Sequence, residues 1–228
     1  MGNDFDPNKN RLYRMTEYIS WGLITTLYIL SNYIILFFLF LFLEISILNF
    51  VWYLIGIIPL GPAVSAVIGS AIHTIEENDY STPGQNFRKY YRQNFLDSFK
   101  IWIPYLAIIY LFIININYYF NIIGNQFSFI GYIFILFSIL VTLYLIPLFL
   151  IQTKFHFRYK DLLKLGLYYF FMKLKLTIGN LLILLGLVAL LVFVSELLFI
   201  ILLVPFFYLL TLYNYSVIKD VKTNFVKA

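Results

Sequence analysis

The sequence predicts an all-α fold, a polytopic transmembrane bundle of about six helices in three hairpins. Hydrophobic residues make up 62% of the 228 residues and charged residues only 12%, whereas a typical globular chain is about 45–50% apolar and about 25% charged. A soluble fold of this composition would have too little polar surface to cover its core. A bilayer removes that requirement because side chains that face lipid need no water.

The uncharged stretches of the chain set the number of spans. About 20 mainly apolar residues are needed to cross the roughly 30 Å hydrocarbon core. The stretch between Lys100 and Lys154 is far longer, so it must reverse, and the polar residues between Asn115 and Asn125 favour a turn there. The predicted spans lie near residues 18–43, 46–75, 99–119, 128–152, 176–194 and 197–217, within a single membrane domain, 1–228.

The basic residues alternate between the two sides of this arrangement. All 16 Lys and Arg lie before span one, between spans two and three, between spans four and five, or after span six. The positive-inside rule places these four segments in the cytoplasm, so both termini are expected there. The N-terminus lacks the pattern of a cleaved signal peptide, and the first span is expected to remain in the membrane.

The first basic connection predicts an amphipathic helix that lies at the cytoplasmic membrane surface and runs into span three. Aromatic residues recur every four positions from Phe87 to Phe99, which gives one apolar stripe. Thr82 and Gln85 have the spacing of a capping box. The helix either anchors the protein on lipid or docks against a partner, and nucleic acid is not expected because so short a helix makes few phosphate contacts. This candidate partner or lipid surface comprises Phe87, Arg88, Lys89, Tyr91, Arg92 and Phe95.

The second basic connection, residues 154–175, predicts a similar helix. Leucines and aromatic residues follow one another there with lysines between them. Because the apolar residues are nearly continuous, we expect a partly embedded helix without a clean apolar stripe.

The second span is predicted to be broken near residues 56–62. The uncharged stretch that contains it is 31 residues long, about 46 Å as a continuous helix, and Gly and Pro cluster within it. Small residues then repeat every four positions, which permits close helix packing. Either the span is a kinked helix in a tight bundle, or its exposed backbone lines a polar cavity as in transporters. The candidate packing or cavity residues are Gly56, Pro59, Gly61, Pro62, Ser65, Ala66 and Gly69.

The sequence offers little for catalysis or metal binding. It has no Cys and only two His, and it contains no nucleotide-binding loop, zinc-ligand pair or nucleophile elbow. His73 lies near Glu76, Glu77 and Asp79, where an exposed acidic turn is the expected explanation. We therefore expect no enzyme activity, no cofactor and no metal.

Residues 12–119 resemble the YesL family of bacterial membrane proteins, a domain of unknown function. Four segments carry the resemblance: YRMTEY at residues 13–18, LNFVW at 48–52, PLGPAVSA at 59–66 and FRKYYRQNF at 87–95. The Gly-Pro-Ala element followed by the aromatic and basic helix is the most specific part. The chain departs from the family in its long apolar stretch between Glu17 and Leu48.

The resemblance implies a multi-pass protein of the bacterial cytoplasmic membrane with an accessory role in carbohydrate uptake. Family members are often encoded beside ABC-type sugar transporters, so the implied partners are the membrane subunits of such a transporter, besides the lipid bilayer itself. No binding residue is established in the family. The alternative is a small-solute transporter or channel that uses the broken second span.

Overall fold

The computed structural model describes residues 11–44, 46, 49–122 and 127–226, and these residues form an all-α structure without strands. The α-helices are α1 (Arg11–Asn32), α2 (Ile34–Phe42), α3 (Phe50–Ile57), α4 (Leu60–Glu77), α5 (Pro83–Asn117), α6 (Ser128–Lys154), α7 (Tyr159–Met172), α8 (Leu174–Phe193), α9 (Glu196–Tyr213) and α10 (Tyr215–Asn224). A π-helical turn, Tyr118–Ile122, extends α5. The predicted fold class is confirmed.

Among the described residues, four helical segments are long and apolar enough to cross a membrane, and six if two bent helix pairs each count as one span. The four are Phe50–Glu77, Pro83–Ile122, Ser128–Lys154 and Leu174–Phe193. The bent pairs are α1 with α2, at 53°, and α9 with α10, at 43°. This range of four to six includes the predicted number.

Neither bend was predicted for the first or the sixth span, and an asparagine lies beside each of them. The amide of Asn32 donates to the carbonyl oxygen of Tyr28 at 2.9 Å, and the amide of Asn214 donates to that of Leu210 at 2.9 Å. Side chains that bond to the carbonyl four residues earlier compete with the helical ladder and bend helices. Helix α10, which begins after Asn214, was therefore missed as a separate element.

Asn214 also joins α9 to α8. Its amide donates to Asn180 Oδ1 at 2.6 Å, and the Asn180 amide donates back to Asn214 Oδ1 at 3.0 Å. Asn180 is the one residue of α8 that is buried within the described part of the chain. This reciprocal pair and the bond from the Tyr213 hydroxyl to Lys175 O, at 3.1 Å, link α8 to α9.

The predicted break in the second span lies between α3 and α4, at Ile58 and Pro59. Pro59 has no backbone N–H and cannot continue the helical hydrogen-bond ladder. Two backbone hydrogen bonds at the break span three residues instead of four. They run from Ile58 N to Ile55 O at 3.2 Å and from Gly61 N to Ile58 O at 3.3 Å.

The bundle is packed tightly at one end only. In α6 every residue from 146 to 153 is buried, whereas Gly131 is the one buried residue between 128 and 142. The packed end is the one that carries the connections from α4 to α5 and from α6 to α7, residues 78–82 and 155–158, and the basic residues of α5 and α7 lie beside them. The open end presents apolar side chains outward, as expected for a surface in contact with lipid tails.

Both predicted amphipathic helices pack against protein. The first is the N-terminal half of α5, which continues without interruption to Asn117. The second is α7, whose exposed face is also apolar, with Leu167, Tyr168, Phe171 and Met172 on it. Leu162, Leu165, Gly166 and Tyr169 form a buried stripe because every helical turn presents one of them to α6, where Leu148 touches Gly166.

Candidate functional site: the break in the second span and the basic groove

The break between α3 and α4 leaves the carbonyl oxygen of Ile57 without its helical partner. In a continuous helix Ile57 O would accept from Gly61 N, but that N–H bonds to Ile58 O instead. The indole Nε1 of Trp102, on α5, donates to Ile57 O at 3.1 Å. The Ile57 carbonyl is therefore hydrogen-bonded by a side chain of the same protein.

The small residues that follow the break receive bulky side chains from α5. A Cβ at Gly61 would overlap the Trp102 ring, and a Cβ at Gly69 would overlap the Tyr90 ring. Glycine at these two positions thus allows α4 and α5 to approach closely.

The other candidate packing or cavity residues also contact this chain or lie buried in it. Ser65 Oγ is 2.8 Å from Thr153 Oγ1 on α6, and Gly56 lies against Leu36 and Leu39 of α2. Pro62 and Ala66 are buried, and Pro59 is half-buried. None of the seven residues lines any of three prominent cavities in the described part of the chain, and the contacts given above pack the break against protein.

A buried polar cluster between α5 and α6 escaped the sequence analysis. The Asn94 amide donates to Thr153 O at 3.4 Å, and the Gln152 amide donates to Ser98 Oγ at 3.5 Å. Asn94 Oδ1 and Gln152 Oε1 have no partner among the described residues. The four-residue spacing of Asn94 and Ser98 was the one signal in the sequence, because it places both on one face of α5.

The aromatic stripe of α5, predicted to face lipid or a partner, packs partly on α1. This corrects the prediction for the first two residues of the stripe, Phe87 and Tyr91. Phe87 is buried and stacks on the Tyr28 ring, with centroids 5.3 Å apart. The Tyr91 hydroxyl donates to Asn32 Oδ1 at 3.0 Å. Phe95, one turn later, is exposed. A distant aromatic residue, Tyr28, thus covers the start of the stripe, and the spacing of α5 alone could not reveal it.

A cavity of about 240 Å³, here called the basic groove, lies between α1 and the start of α5. Its walls are Tyr28, Ser31, Asn32, Phe87, Arg88, Tyr91 and Arg92. The Arg88 guanidinium lies over the Tyr28 ring, 5.2 Å from its centroid. Lys89 lies outside the groove, over the Tyr90 ring. Arg88, Lys89 and Arg92 are all exposed.

A second cavity, of about 420 Å³, lies between the α1–α2 bend and α9. Its lining is almost entirely apolar, from Thr26 and Ile29 on α1 to Leu203 and Val204 on α9. The Tyr33 phenol is the one titratable group among the residues that line it.

The acidic residues near His73 do not converge on one point. Glu76 pairs with Lys154, and His73 Nδ1 lies 3.4 Å from the Asn86 amide. Asp79 accepts from Ser81 N, and this backbone hydrogen bond lowers the pKa of the Asp79 carboxyl below its usual value. No group of three potential metal ligands occurs in the described part of the chain.

Comparison with known families gives one match, which covers the break and the start of α5. Residues 35–116 match a family model described as "Protein of unknown function, DUF624". This match covers just over a third of the chain. No curated protein and no solved structure shows a significant match.

The DUF624 match begins later than the resemblance described above, so it leaves out the motif at residues 13–18. It contains the break, the small residues of α4 and the aromatic and basic start of α5. Tyr28 and Asn32, which cover that start, precede the match.

Proposed function

We propose that this protein is a non-enzymatic accessory protein of the bacterial cytoplasmic membrane that binds the membrane subunits of an ABC-type carbohydrate uptake transporter. The observation that supports an accessory role over transport is the closed break in the second span. A transporter that used this break would need its freed backbone groups to face a polar cavity. Here the Trp102 indole donates to the freed carbonyl of Ile57, and the break packs against protein.

The carbohydrate partner rests on the resemblance to the YesL family, and the DUF624 match is compatible with it. The match describes a domain of unknown function. The resemblance implies that the gene lies beside genes for ABC-type sugar transporters, and it implies nothing about mechanism.

The surface we propose for the partner is the exposed basic face of α5. The small residues of α4 are occupied by Trp102, Tyr90 and Thr153 of this chain, so they offer little to another protein. Arg88, Lys89 and Arg92 are exposed. In the proposed topology this face lies on the cytoplasmic side, where it would meet an acidic surface of the transporter.

Affinity purification from native membranes in mild detergent tests the proposal. The protein and an unrelated six-span protein are purified in parallel, and co-purifying proteins are quantified by mass spectrometry. Specific enrichment of transporter membrane subunits is expected. Absence of enrichment in two different mild detergents contradicts the accessory role.

A charge reversal then locates the surface. Arg88→Glu, Lys89→Glu and Arg92→Glu together are expected to weaken co-purification several-fold while the helical circular dichroism spectrum stays the same. The matched control reverses three exposed basic residues elsewhere, Arg158, Lys160 and Lys164. Equal loss in both triple variants would show a general effect of charge, and no loss in the first would rule out this face.

Transport remains the alternative, and the buried polar cluster is the observation that favours it. Two unpaired oxygens, Asn94 Oδ1 and Gln152 Oε1, lie inside the bundle, and buried polar groups within membrane proteins often mark pathways. Proteoliposomes that contain the purified protein alone are expected to show no uptake of small sugars above protein-free vesicles. Uptake that Gln152→Met abolishes would favour transport over the accessory role.

A further inference from the structure

We propose that the basic groove binds the phosphate group of an anionic phospholipid. The groove has a volume of about 240 Å³ and lies between α1, just before its bend, and the first three turns of α5. This size suits a headgroup, whereas two acyl chains would need far more room. The inference concerns lipid; it shares Arg88 and Arg92 with the proposed partner surface, and lipid binding by the purified protein tests it without the transporter.

Arg88 and Arg92 supply the positive charge. They are one helical turn apart on α5 and both line the groove, and neither forms an ion pair with any residue that the structure describes. Two guanidinium groups without a carboxylate leave a charge that an anion can neutralise. Guanidinium binds phosphate oxygens in pairs, with strong charge-assisted hydrogen bonds.

The rest of the groove is neutral and already hydrogen-bonded within the protein. Ser31 Oγ and the Asn32 amide both donate to Tyr28 O, and Asn32 Oδ1 accepts from Tyr91. These side chains therefore shape the walls, and the two arginines are left to bind the ligand. The stacking of Arg88 over Tyr28 holds its guanidinium at the groove.

The surroundings of the groove favour a lipid over a soluble anion. Leu27, beside the groove on α1, is 66% exposed, and Leu96, one turn beyond Arg92 on α5, is 71% exposed. Phe95 is exposed beside it. An amphiphile can place its phosphate between the arginines and its acyl chains over these apolar side chains, which free phosphate cannot do.

The groove residues include no carboxylate, and this favours one class of lipid headgroup. A zwitterionic lipid brings an ammonium group along with its phosphate, and among the groove residues only arginines are charged. We therefore expect phosphatidylglycerol to bind more tightly than phosphatidylcholine.

Native mass spectrometry of the purified full-length protein in detergent tests the site. The protein is titrated with phosphatidylglycerol and, separately, with phosphatidylcholine of the same acyl composition. We expect Arg88→Gln with Arg92→Gln to lower the affinity for phosphatidylglycerol about tenfold or more, as the loss of two charge-assisted contacts implies. The matched control, Lys89→Gln with Lys164→Gln, removes the same charge outside the groove and is expected to change the affinity less than about threefold.

Single variants and soluble competitors complete the experiment. Arg92 stacks on no ring among the residues that the structure describes, so Arg92→Gln alone is expected to keep the packing of α5 on α1 and serves if the double variant does not fold. Inorganic phosphate and glycerol phosphate at millimolar concentration are expected not to displace the lipid. Displacement by either would identify a site for soluble phosphate, and equal binding of both lipids, or of wild type and the double arginine variant, would overturn the proposal.

Discussion

Trp102 donates a hydrogen bond to the carbonyl oxygen of Ile57 at 3.1 Å, across 45 positions of the sequence. The bond ties the third span to the break in the second and satisfies the carbonyl of Ile57, which the break deprives of its helical partner. The stability of this region therefore depends on an indole N–H as well as on the small residues of α4.

Trp102→Phe is expected to destabilise the protein by about 1–2 kcal/mol, because Ile57 O loses its partner and the smaller ring leaves space beside Gly61. Thermal unfolding in detergent, followed by circular dichroism, measures the effect. Trp52→Phe is the control, since Trp52 is 54% exposed. If both variants unfold at the wild-type temperature, the proposed contact does not contribute to stability.

Gly69→Ala is expected to destabilise the protein by about 1–3 kcal/mol, because the added methyl group overlaps the Tyr90 ring and separates α4 from α5. Gly186→Ala is the matched control. No atom lies within 4 Å of a Cβ at Gly186, so alanine is expected to be neutral or to stabilise α8 by about 0.5–1 kcal/mol. The same melting experiment compares them, and a Gly69→Ala variant as stable as Gly186→Ala would contradict the close packing.

Asn214→Leu is expected to cost about 1–3 kcal/mol because it leaves the buried Asn180 amide without its partner. Replacing both asparagines with leucine is expected to recover part of this loss, since no orphaned polar group then remains. A double-mutant cycle measured by chemical or thermal unfolding checks the sign of the coupling. Strictly additive losses would mean that the two amides do not interact.

Gln152→Met is expected to be neutral or to stabilise the protein by up to about 1 kcal/mol. The substitution removes an unpaired buried oxygen and gives up only a long bond, 3.5 Å, to Ser98. Ser65→Ala is the contrasting variant because its hydroxyl has a short partner, Thr153. A large destabilisation by Gln152→Met would show that Oε1 has a partner that protein atoms alone do not provide, such as a buried water molecule.

The sequence predicted the features that depend on local chemistry. Pro59 removes a donor wherever the chain goes, so the break between α3 and α4 could be located within 56–62. The four-residue repeat of small side chains in α4 likewise marked a close helix contact, although the partner, α5, could not be read from it.

The features that failed depend on contacts between distant segments. The stripe from Phe87 to Phe99 is compatible with lipid until Tyr28, 59 positions earlier than Phe87, covers its start. The bend at Tyr33 adjoins Asn32, whose Oδ1 accepts a hydrogen bond from Tyr91 on α5, and composition alone did not predict this contact.

The sequence by itself determined that this is a helical membrane protein of about six spans, because hydropathy and the distribution of charge act along the chain and require no partner. The tertiary structure decided what the unusual segments do. It closed the broken span with Trp102 and turned half of the surface stripe inward onto α1. It also placed Arg88 and Arg92 together at a groove. Such outcomes depend on which side chains meet, and that is fixed only when helices far apart in sequence pack against one another.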